Sequence, residues 1–319
     1  MSECINVLLI EDNPADARLL RELIIETGWK EFHLDHVPRM SKVKEKLSAE
    51  YYHVILLDLS LPDAQGLTTV EQICALTNTV PIIVLTGLED EDLAIKSVQR
   101  GAQDYLIKGK VNGEILIRSM RYAIERKRAE AHLHFMATHD PLTHLPNRSL
   151  FLDRLSHAIT LSKRNNLCLA VLFLDLDGFK TVNDTYGHET GDRVLQAIGE
   201  RFRKHLRASD TVARLSGDEF AFILENIGNG SNAAIVAEKI LKNLAHPITL
   251  EGQSIRITTS IGISLYPQDG KDTQELLRRA DAAMYKAKQC GKNTYRFSTD
   301  PSFLNSTNPI PASNAAHTI

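Results

Sequence analysis

The sequence has few cysteines, no marked excess of charge of either sign and no long apolar run. Its four cysteines are scattered without C-x-x-C spacing, which fits reduced thiols in a cytoplasm: Cys4, Cys74, Cys168 and Cys290. A formal net charge of -3 argues against nucleic acid as the main partner, because phosphate binding normally needs clustered Lys and Arg. The longest clean apolar run, LCLAVLFL at 167–174, is far below the roughly 18 residues of a membrane span. The start, MSECINVLLIED, lacks the basic region and cleavage site of a signal peptide. We therefore expect a cytoplasmic protein without a membrane segment.

The chain contains enough residues, 319, for about two domains. Its twelve histidines are unusual, and four of them fall in one short segment: His132, His134, His139 and His144. No two of these four have the i, i+4 spacing that puts two imidazoles on one helix face. We therefore prefer a solvated linker to a zinc site in this segment.

Short apolar runs alternate with amphipathic stretches from residue 6 to about 110. Five such units predict a doubly wound α/β fold, with a parallel sheet covered by helices on both faces. Polar residues end the predicted strands: Glu11, Asp12, Asp58, Thr86 and Lys108. All project from the carboxyl edge of the sheet, where ligands bind. Three carboxylates there repel one another by about 4 kcal/mol per close pair at an effective dielectric near 20. A cation is therefore implied, and Mg²⁺ suits carboxylates and an incoming phosphoryl group.

With LPDAQGL just after Asp58, this pattern resembles the receiver domain of two-component response regulators over the whole N-terminal region. The resemblance implies a flavodoxin-like five-stranded sheet. It implies that Asp58 accepts a phosphoryl group from a cognate sensor histidine kinase, and that Glu11 and Asp12 hold one Mg²⁺ together with Asp58.

The same resemblance assigns the neighbouring polar residues. Lys108 would pair with the phosphate, while Thr86 and the aromatic Tyr105 would act as switch residues that follow it. Gly109 departs from the family, in which a proline commonly follows the lysine. This change removes no chemical group but predicts a looser loop.

After Asn112 the sequence GEILIRSMRYAIERKRAEAHLHFMATHD predicts one long helix, whose apolar stripe fades into charged residues. A last receiver helix that continues as a connector would carry a change of receiver pairing to the next domain. The sustained heptads of a coiled coil are missing, so the helix by itself does not establish a dimer.

The second half of the chain contains two acidic features. The buried strand predicted for LAVLFLDLDGFK ends in Asp175 and Asp177, which share one face if the strand stays extended. The sequence TVARLSGDEFAFIL predicts a hairpin in which Gly217 takes a positive φ. Placed beside that strand, the hairpin tip would bring Asp218 and Glu219 to Asp175. Such a group calls for divalent metal, and two-metal sites activate a hydroxyl for displacement at phosphorus.

These features resemble the GGDEF domain of diguanylate cyclases over about Asp140 to Phe297. The motifs occur in family order: DPLTHLPNR, FLDLDGFKTVNDTYGHETGD, RASDTVARLSGDEF, TTSIGIS and RADAAMYKAKQCGKNTY. The resemblance implies an α+β fold similar to the nucleotidyl cyclase and polymerase palm. It also implies condensation of two GTP into cyclic di-GMP, with release of two pyrophosphates, by a homodimer in which each domain presents one GTP.

The resemblance places two Mg²⁺ in each cyclase active site. Asp175 and Asp218 would be metal ligands, with the backbone carbonyl of Leu176 as a third and Glu219 completing the second metal position. Either Asp218 or Glu219 would assist deprotonation of the attacking 3′-hydroxyl.

The resemblance also assigns substrate contacts. Asn183 and Asp192 match the guanine-reading positions, and His188 matches a position of substrate contact. Three lysines would meet the phosphates: Lys180, Lys288 and Lys292. Lys292 stands where arginine is frequent in the family. Because a lysine ammonium lacks the bidentate hydrogen bonding of a guanidinium, we expect modestly weaker GTP binding.

Arg207 and Asp210 match the RxxD inhibitory site of the family, five residues before the signature turn. Taken alone, Arg-x-x-Asp at a helix end is more often a surface ion pair worth roughly 0 to 1 kcal/mol. At this spacing we prefer feedback by the product, cyclic di-GMP, in which Arg207 donates two hydrogen bonds to guanine O6 and N7 and Asp210 accepts from the opposite edge of the guanine.

Two further departures from the family lie in the motifs themselves. Ser216 replaces the first glycine of the signature but is small and keeps its backbone N–H, the group that a phosphate there would use. His144 replaces the glycine of the LTGLPNR form, and a positive φ there would cost about 1 kcal/mol.

The sequence therefore predicts a receiver domain at 1–112, a helical connector at 113–139, a cyclase domain at 140–298 and a disordered tail at 299–319, rich in Ser, Asn and Pro. The leading hypothesis is a phosphorylation-gated diguanylate cyclase. The alternative is a catalytically weak or inactive module that binds GTP or cyclic di-GMP and signals by protein contact. A third hypothesis is a polymerase or nucleotidyl cyclase with another substrate, which does not explain the guanine-reading and RxxD positions together.

Overall fold

The computed structural model describes residues 4–28, 32–87, 91–204, 206–250 and 252–299. The chain divides into two compact units, Met1–His134 and Phe135–Ile319. From residue 300 onward, the predicted disordered tail lies outside the described residues. Within the described residues, no helix is both long enough and apolar enough to span a bilayer.

In the first unit, the described residues form a five-stranded sheet in the order β2-β1-β3-β6-β7. Every neighbouring pair is parallel, so the predicted doubly wound sheet is confirmed. The strands are β1 (Ile5–Ile10), β2 (Phe32–Val37), β3 (Val54–Asp58), β4 (Ser60–Leu61), β5 (Ala64–Gln65), β6 (Ile82–Thr86) and β7 (Asp104–Ile107), of which β4 and β5, with two residues each, form a short hairpin after Asp58. The helices are α1 (Pro14–Glu26), a short 3₁₀ helix (Met40–Lys42), α2 (Val43–Ala49), α3 (Leu67–Leu76), α4 (Glu91–Gln99) and α5 (Gly113–Thr138).

The central strands of this sheet are apolar on both faces because both faces are covered by helices. In β1, Leu8 and Ile10 pack in a cluster with side chains of α2 and α3. The alternate residues Val7 and Leu9 pack in a second cluster with side chains of α1 and α5. A strand points successive side chains to opposite faces, so a continuous apolar run serves two cores.

Helix α5 is continuous from Gly113 to Thr138, as the sequence predicts for the segment after Asn112. Its first half is amphipathic, and Leu116, Met120 and Ile124 are buried in the core of the first unit. Its later apolar residues, Leu133 and Met136, are exposed.

In the second unit, the described residues form a sheet in the order β14-β13-β8-β10-β9. It is antiparallel except for the parallel pair β13 and β14. The strands are β8 (Leu169–Asp177), β9 (Thr211–Ser216), β10 (Glu219–Leu224), β11 (Ile248–Leu250), β12 (Gln253–Ile255), β13 (Thr258–Tyr266) and β14 (Tyr295–Phe297). The helices are α6 (Arg148–Asn165), α7 (Phe179–Tyr186), α8 (His188–Lys204), α9 (Gly230–Ala245) and α10 (Thr273–Gln289).

Helices cover both faces of this second sheet. Leu172 and Leu174 of β8 pack with side chains of α8 and α9, whereas Val171 and Phe173 pack with α6 and α10. Gly262 lets β13 approach α10 closely, since a Cβ built on it would lie 1.9 Å from the carbonyl oxygen of Ala280. The α+β fold predicted for this half is confirmed.

The loop before α6 contains two of the four clustered histidines. The ring of Phe135 stacks on His139 with 4.6 Å between centroids, and His144 meets Phe135 edge-on at 5.5 Å. His144 has a φ of 56°, so the turn does require the left-handed conformation that its family's glycine adopts freely.

Candidate functional site

The predicted acidic residues of the first unit meet at the carboxyl edge of its sheet. Glu11 and Asp58 are 0% and 6% exposed, while Asp12 is exposed to solvent. Each of the three offers a carboxylate oxygen within 4.8 Å of the others. Strands β1 and β3 are parallel neighbours, which is why residues about 47 apart in sequence converge.

Lys108, at the end of β7, is the positive centre of this cluster. Its Nζ lies 2.6 Å from Glu11 Oε2, 2.8 Å from Asp58 Oδ2 and 3.0 Å from Asp16 Oδ2. Burial disfavours the ammonium, but hydrogen bonds to these three carboxylates outweigh it and raise the pKa of Lys108. Asp16 is not among the site residues predicted from the sequence. Its position in the first turn of α1, which begins at Pro14 beside the same edge, was the available signal.

The carboxyl group of Glu11 has a raised pKa. Burial raises the pKa of this carboxyl to about 7, and the negative charge of Asp58 adds to the increase, while Lys108 opposes it. A carboxylate that is buried beside another carboxylate is stabilised by any cation that enters the cluster.

The predicted switch residues lie on β6, the neighbour of β3, and on β7, the strand beyond it. Thr86 ends β6, is 2% exposed and donates its hydroxyl to the Gly87 carbonyl at 3.3 Å. Tyr105 is half-buried on β7, paired with β6 in parallel register. Gly109 has a φ of 80°, which proline, fixed near -65°, is unable to adopt. The glycine therefore gives the loop after Lys108 a backbone conformation that the family's proline excludes.

In the second unit, a row of side chains crosses four strands on one face of the sheet. Glu219 on β10 lies opposite Ser216 on β9 and opposite Asp175 on β8, and Asp175 lies opposite Ser260 on β13. Directly opposed residues of antiparallel strands point to the same face. The acidic strand end and the hairpin tip are therefore adjacent, as the sequence analysis expected.

Asp218 occupies the tip of this hairpin. It follows Gly217, whose φ is 44°, in the two-residue turn between β9 and β10. The backbone N–H of Leu176 donates to the Asp218 carbonyl oxygen at 3.3 Å, which ties the turn to the end of β8.

Charged side chains surround the carboxyl group of Asp175. Burial raises its pKa, and the negative charges of Asp218 and Glu219 contribute in the same direction. The ammonium of Lys288, on α10, opposes the increase from 2.7 Å. Of the three predicted phosphate-binding lysines, the structure thus brings Lys288 to the acidic row.

Arg214 holds the signature turn to the loop that precedes α6. Its Nε donates to the Gly217 carbonyl oxygen at 2.9 Å, and one terminal nitrogen lies 3.0 and 3.2 Å from the two carboxylate oxygens of Asp140. Both side chains are mostly buried, at 12% and 19% exposure. This pair is not among the site residues predicted from the sequence.

Asp177 serves a different purpose from its neighbour Asp175. Its carboxylate accepts hydrogen bonds from the hydroxyls of Thr258 and Ser260, at 2.8 and 2.7 Å, and from the Asn293 N–H at 3.1 Å. It therefore fixes the turn after α10. Lys292 lies in that turn with a φ of 62° and an exposed side chain.

The predicted guanine-reading residues lie on the hairpin of α7 and α8. Asn183 is half-buried on α7, and a Cβ built on Gly191 of α8 would lie 1.9 Å from its Oδ1. Asp192 follows that glycine and is exposed. The remaining predicted contacts are also exposed, His188 at the start of α8 and Lys180 on α7.

Arg207 and Asp210 lie in the connection from α8 to β9 and line a cavity of about 200 Å³. Asp210 accepts from main-chain groups, the N–H of Arg207 at 3.3 Å and the N–H of Glu225 at 3.4 Å. Among the described residues, the Arg207 guanidinium has no ion-pair partner, so the surface ion pair weighed from the sequence is not formed. The cavity walls also include Leu206, Leu224 and Lys239.

Both acidic clusters offer carboxylates to Mg²⁺, but of the two only the first, Glu11, Asp12 and Asp58, has three carboxylate oxygens within 4.8 Å of one another among the described residues. Their ligand atoms are hard carboxylate oxygens, at which a divalent cation relieves mutual repulsion. The raised pKa values of Glu11 and Asp175 reflect burial and neighbouring negative charge. In each cluster a lysine ammonium, Lys108 or Lys288, supplies part of the positive charge.

Comparisons with known proteins assign each half of the chain to a family model. Residues 7–119 match the response regulator receiver domain, and residues 137–294 match the diguanylate cyclase GGDEF domain.

Relatives from Pseudomonas aeruginosa match somewhat more than half of this chain. The bifunctional diguanylate cyclase/cyclic di-GMP phosphodiesterase MucR of Pseudomonas aeruginosa is 46% identical over 60% of this chain and 28% of its own length. The diguanylate cyclase TpbB of the same organism is 44% identical over 54% of this chain and 41% of its own length. The chain thus spans less than half of the length of these relatives.

Solved structures extend this similarity to the fold. The GGDEF domain of TpbB is 44% identical, with a TM-score of 0.50, over 50% of this chain and 94% of that chain. The coiled coil and GGDEF domain of DgcB from Caulobacter crescentus, in complex with c-di-GMP, is 28% identical, with a TM-score of 0.51, over 58% of this chain and 98% of that chain.

Proposed function

Because the chain belongs to the response regulators that join a receiver domain to a diguanylate cyclase GGDEF domain, we propose that it is a diguanylate cyclase controlled by phosphorylation of Asp58. The observation that carries the proposal is the row in which Asp175 and Glu219 face each other across β8 and β10, with Asp218 in the adjoining turn. An inactive domain would be free to lose these carboxylates, and this chain keeps all of them.

The proposed reaction joins two GTP molecules. The 3′-oxygen of each attacks the α-phosphorus of the other, the bond from that phosphorus to the bridging oxygen breaks, and pyrophosphate leaves. Asp218 or Glu219 accepts the proton of the attacking hydroxyl. Mg²⁺, two ions per active site, would supply charge neutralisation at the phosphates and activation of the hydroxyl. Asp175, the Leu176 carbonyl, Asp218 and Glu219 would hold these ions.

The proposed substrate contacts are the residues that match the family's motif positions. Asn183 and Asp192, on neighbouring helices, would accept and donate hydrogen bonds at the guanine edge, with His188 beside them. The phosphates would meet Lys288, Lys180 and Lys292. Because each domain holds one GTP, the active form is a homodimer.

We propose that the receiver domain controls this dimer. A cognate sensor histidine kinase donates a phosphoryl group to a carboxylate oxygen of Asp58, with one Mg²⁺ held by Glu11, Asp12 and Asp58. Lys108 then pairs with the phosphoryl group, and Thr86 and Tyr105 adjust to it. The proposed domain limits are 1–112 for the receiver, 113–139 for the connector and 140–298 for the cyclase.

Product inhibition is the second proposed level of control. The guanidinium of Arg207, which has no ion-pair partner among the described residues, is available to guanine O6 and N7, and Asp210 lies beside the same cavity. Cyclic di-GMP, with which the DgcB structure is in complex, is the proposed ligand. Arg207→Ala should abolish inhibition by added cyclic di-GMP, and an unchanged response would remove this proposal.

The test of activity uses the purified full chain with GTP and Mg²⁺, with and without beryllofluoride as a phosphoryl mimic, followed by chromatography of the nucleotides. We expect cyclic di-GMP and pyrophosphate in a ratio of 1:2 by stoichiometry, at a rate that beryllofluoride raises. Asp218→Asn should abolish product, and Asp58→Asn should abolish the response to beryllofluoride. Bound GTP without product under both conditions would refute the enzyme and favour a module that signals by protein contact.

A further inference from the structure

We propose that Ser216 is a positioning residue, whose hydroxyl orients the carboxylate of Glu219 for the second metal position of the cyclase site. The proposal rests on the proposed cyclase function and goes beyond it, since it assigns a role to a side chain that the family's glycine lacks. From the sequence, only the backbone N–H of Ser216 was assigned a role.

The contact is direct. Ser216 Oγ donates a hydrogen bond to Glu219 Oε2 at 2.5 Å. The two residues face each other at the ends of β9 and β10, on either side of the two-residue turn. The opposite neighbour of Glu219 is Asp175. Glu219 is therefore held from one side by Ser216 and faces the principal acidic strand end on the other.

The backbone at this position gives no separate reason for serine. Gly217, the next residue, takes the left-handed φ of 44° that the turn needs, whereas Ser216 lies in the extended conformation of β9. Any small residue fits an exposed strand end. The hydroxyl is thus the property that distinguishes serine from alanine here, and the hydroxyl is engaged by Glu219.

An unrestrained glutamate loses rotamer freedom when it binds a metal ion. A hydrogen bond that already fixes the carboxylate removes part of this cost, and a bond to a charged group is stronger than one between neutral groups. Glu219 Oε1 accepts no hydrogen bond from the described residues, so one carboxylate oxygen is fixed by Ser216 and the other is free for ligation.

The test measures metal binding without turnover. The full chain is titrated with Mn²⁺ in the presence of 3′-deoxy-GTP, which lacks the attacking hydroxyl, and bound Mn²⁺ is followed by electron paramagnetic resonance. Ser216→Ala should raise the half-saturating Mn²⁺ concentration by about threefold to tenfold. Ser216→Thr, which keeps the hydroxyl on a strand-compatible side chain, should stay within about twofold of the parent. Unchanged or tighter binding by Ser216→Ala would overturn the proposal.

A double-mutant cycle tests whether Ser216 acts through Glu219. In a Glu219→Ala background, Ser216→Ala should change Mn²⁺ binding no further, and a persistent loss would overturn the proposal. Ser216→Gly, the family's residue, serves as a second hydroxyl-free variant should the alanine variant fail to fold. Steady-state assays should show a higher KM for metal–GTP with a smaller change in kcat.

These measurements separate the two proposals. A parent protein that binds Mn²⁺ and 3′-deoxy-GTP but makes no cyclic di-GMP refutes the cyclase function and still allows the Ser216 comparison. A parent that makes cyclic di-GMP while Ser216→Ala matches it in binding refutes only the positioning role. A parent that neither binds nor reacts refutes both.

Discussion

The ion pair of Asp140 and Arg214 should dominate the stability of the second unit near its signature turn. Asp140→Asn removes the negative charge and leaves the Arg214 guanidinium, 12% exposed, without its partner. Exposed pairs contribute about 0 to 1 kcal/mol, whereas loss of one partner from a buried pair costs about 3 to 5 kcal/mol. Asparagine can still accept the two hydrogen bonds that Thr143 donates, at 2.7 and 2.8 Å. We therefore expect a loss of about 2 to 3 kcal/mol in the free energy of unfolding.

The pH dependence of this loss has a definite sign. Burial disfavours the Asp140 carboxylate, but hydrogen bonds from Thr143 and the charge of Arg214 outweigh it and hold its pKa below the ordinary 3.8. A depressed pKa gives stability that is present above the unfolded-state value and is lost as pH falls through the folded-state value. The difference between Asp140→Asn and the parent should therefore be constant from pH 5 to pH 8 and shrink below about pH 4.

The assay is urea unfolding of the full chain, followed by far-ultraviolet circular dichroism. Glu189→Gln, which breaks the exposed pair with Arg193 at 87% and 44% exposure, is the matched control and should cost less than about 0.5 kcal/mol. Equal losses for Asp140→Asn and this control would show that burial of the pair carries no stability, against the reasoning above.

Three further substitutions test other contacts. Gly262→Ala should destabilise the second unit by at least about 3 kcal/mol, since the new methyl group would lie 1.9 Å from a backbone carbonyl of α10; normal thermal unfolding would contradict the packing. Gly191→Ala should instead displace the end of the Asn183 side chain, which leaves the unfolding midpoint nearly unchanged but weakens the equilibrium binding of GTP about tenfold. Tyr52→Phe removes the hydrogen bond that, together with Lys46, holds the pKa of Asp35 at about 2 despite burial. This substitution should lower the free energy of unfolding by about 1 to 2 kcal/mol at pH 7, and the loss should disappear as pH falls from about 4 to 2. A loss that does not depend on pH would contradict this prediction.

Much of the fold was predictable because its signals are local. Short apolar runs that alternate with amphipathic stretches predicted the five parallel strands of the first unit, and the turn chemistry of Gly217 predicted the β9–β10 hairpin. The strand ends at Asp58 and Asp175 were recognisable because buried runs stop there. The roles assigned to these acids, and the domain limits, stay predictions.

Other features of the sites were not predictable from spacing. Asp16 reaches Lys108 across 92 residues. Asp177 has the same strand position and chemistry as Asp175, but partners on β13 and after α10 occupy its oxygens. The surface ion pair of Arg207 and Asp210 that was weighed against product feedback is not formed, because the Asp210 carboxylate accepts from backbone N–H groups.

The sequence by itself determined the order of strands and helices, the turns and the placing of acids at strand ends. These depend on side-chain periodicity and on backbone conformations available to individual residues. Only the tertiary structure decided which charged side chains pair with each other. It showed that Lys288 forms an ion pair with Asp175 and that Ser216 donates a hydrogen bond to Glu219. Such pairings depend on strand register and helix packing between segments far apart in the chain, and no local pattern encodes a distance of 3 Å between them.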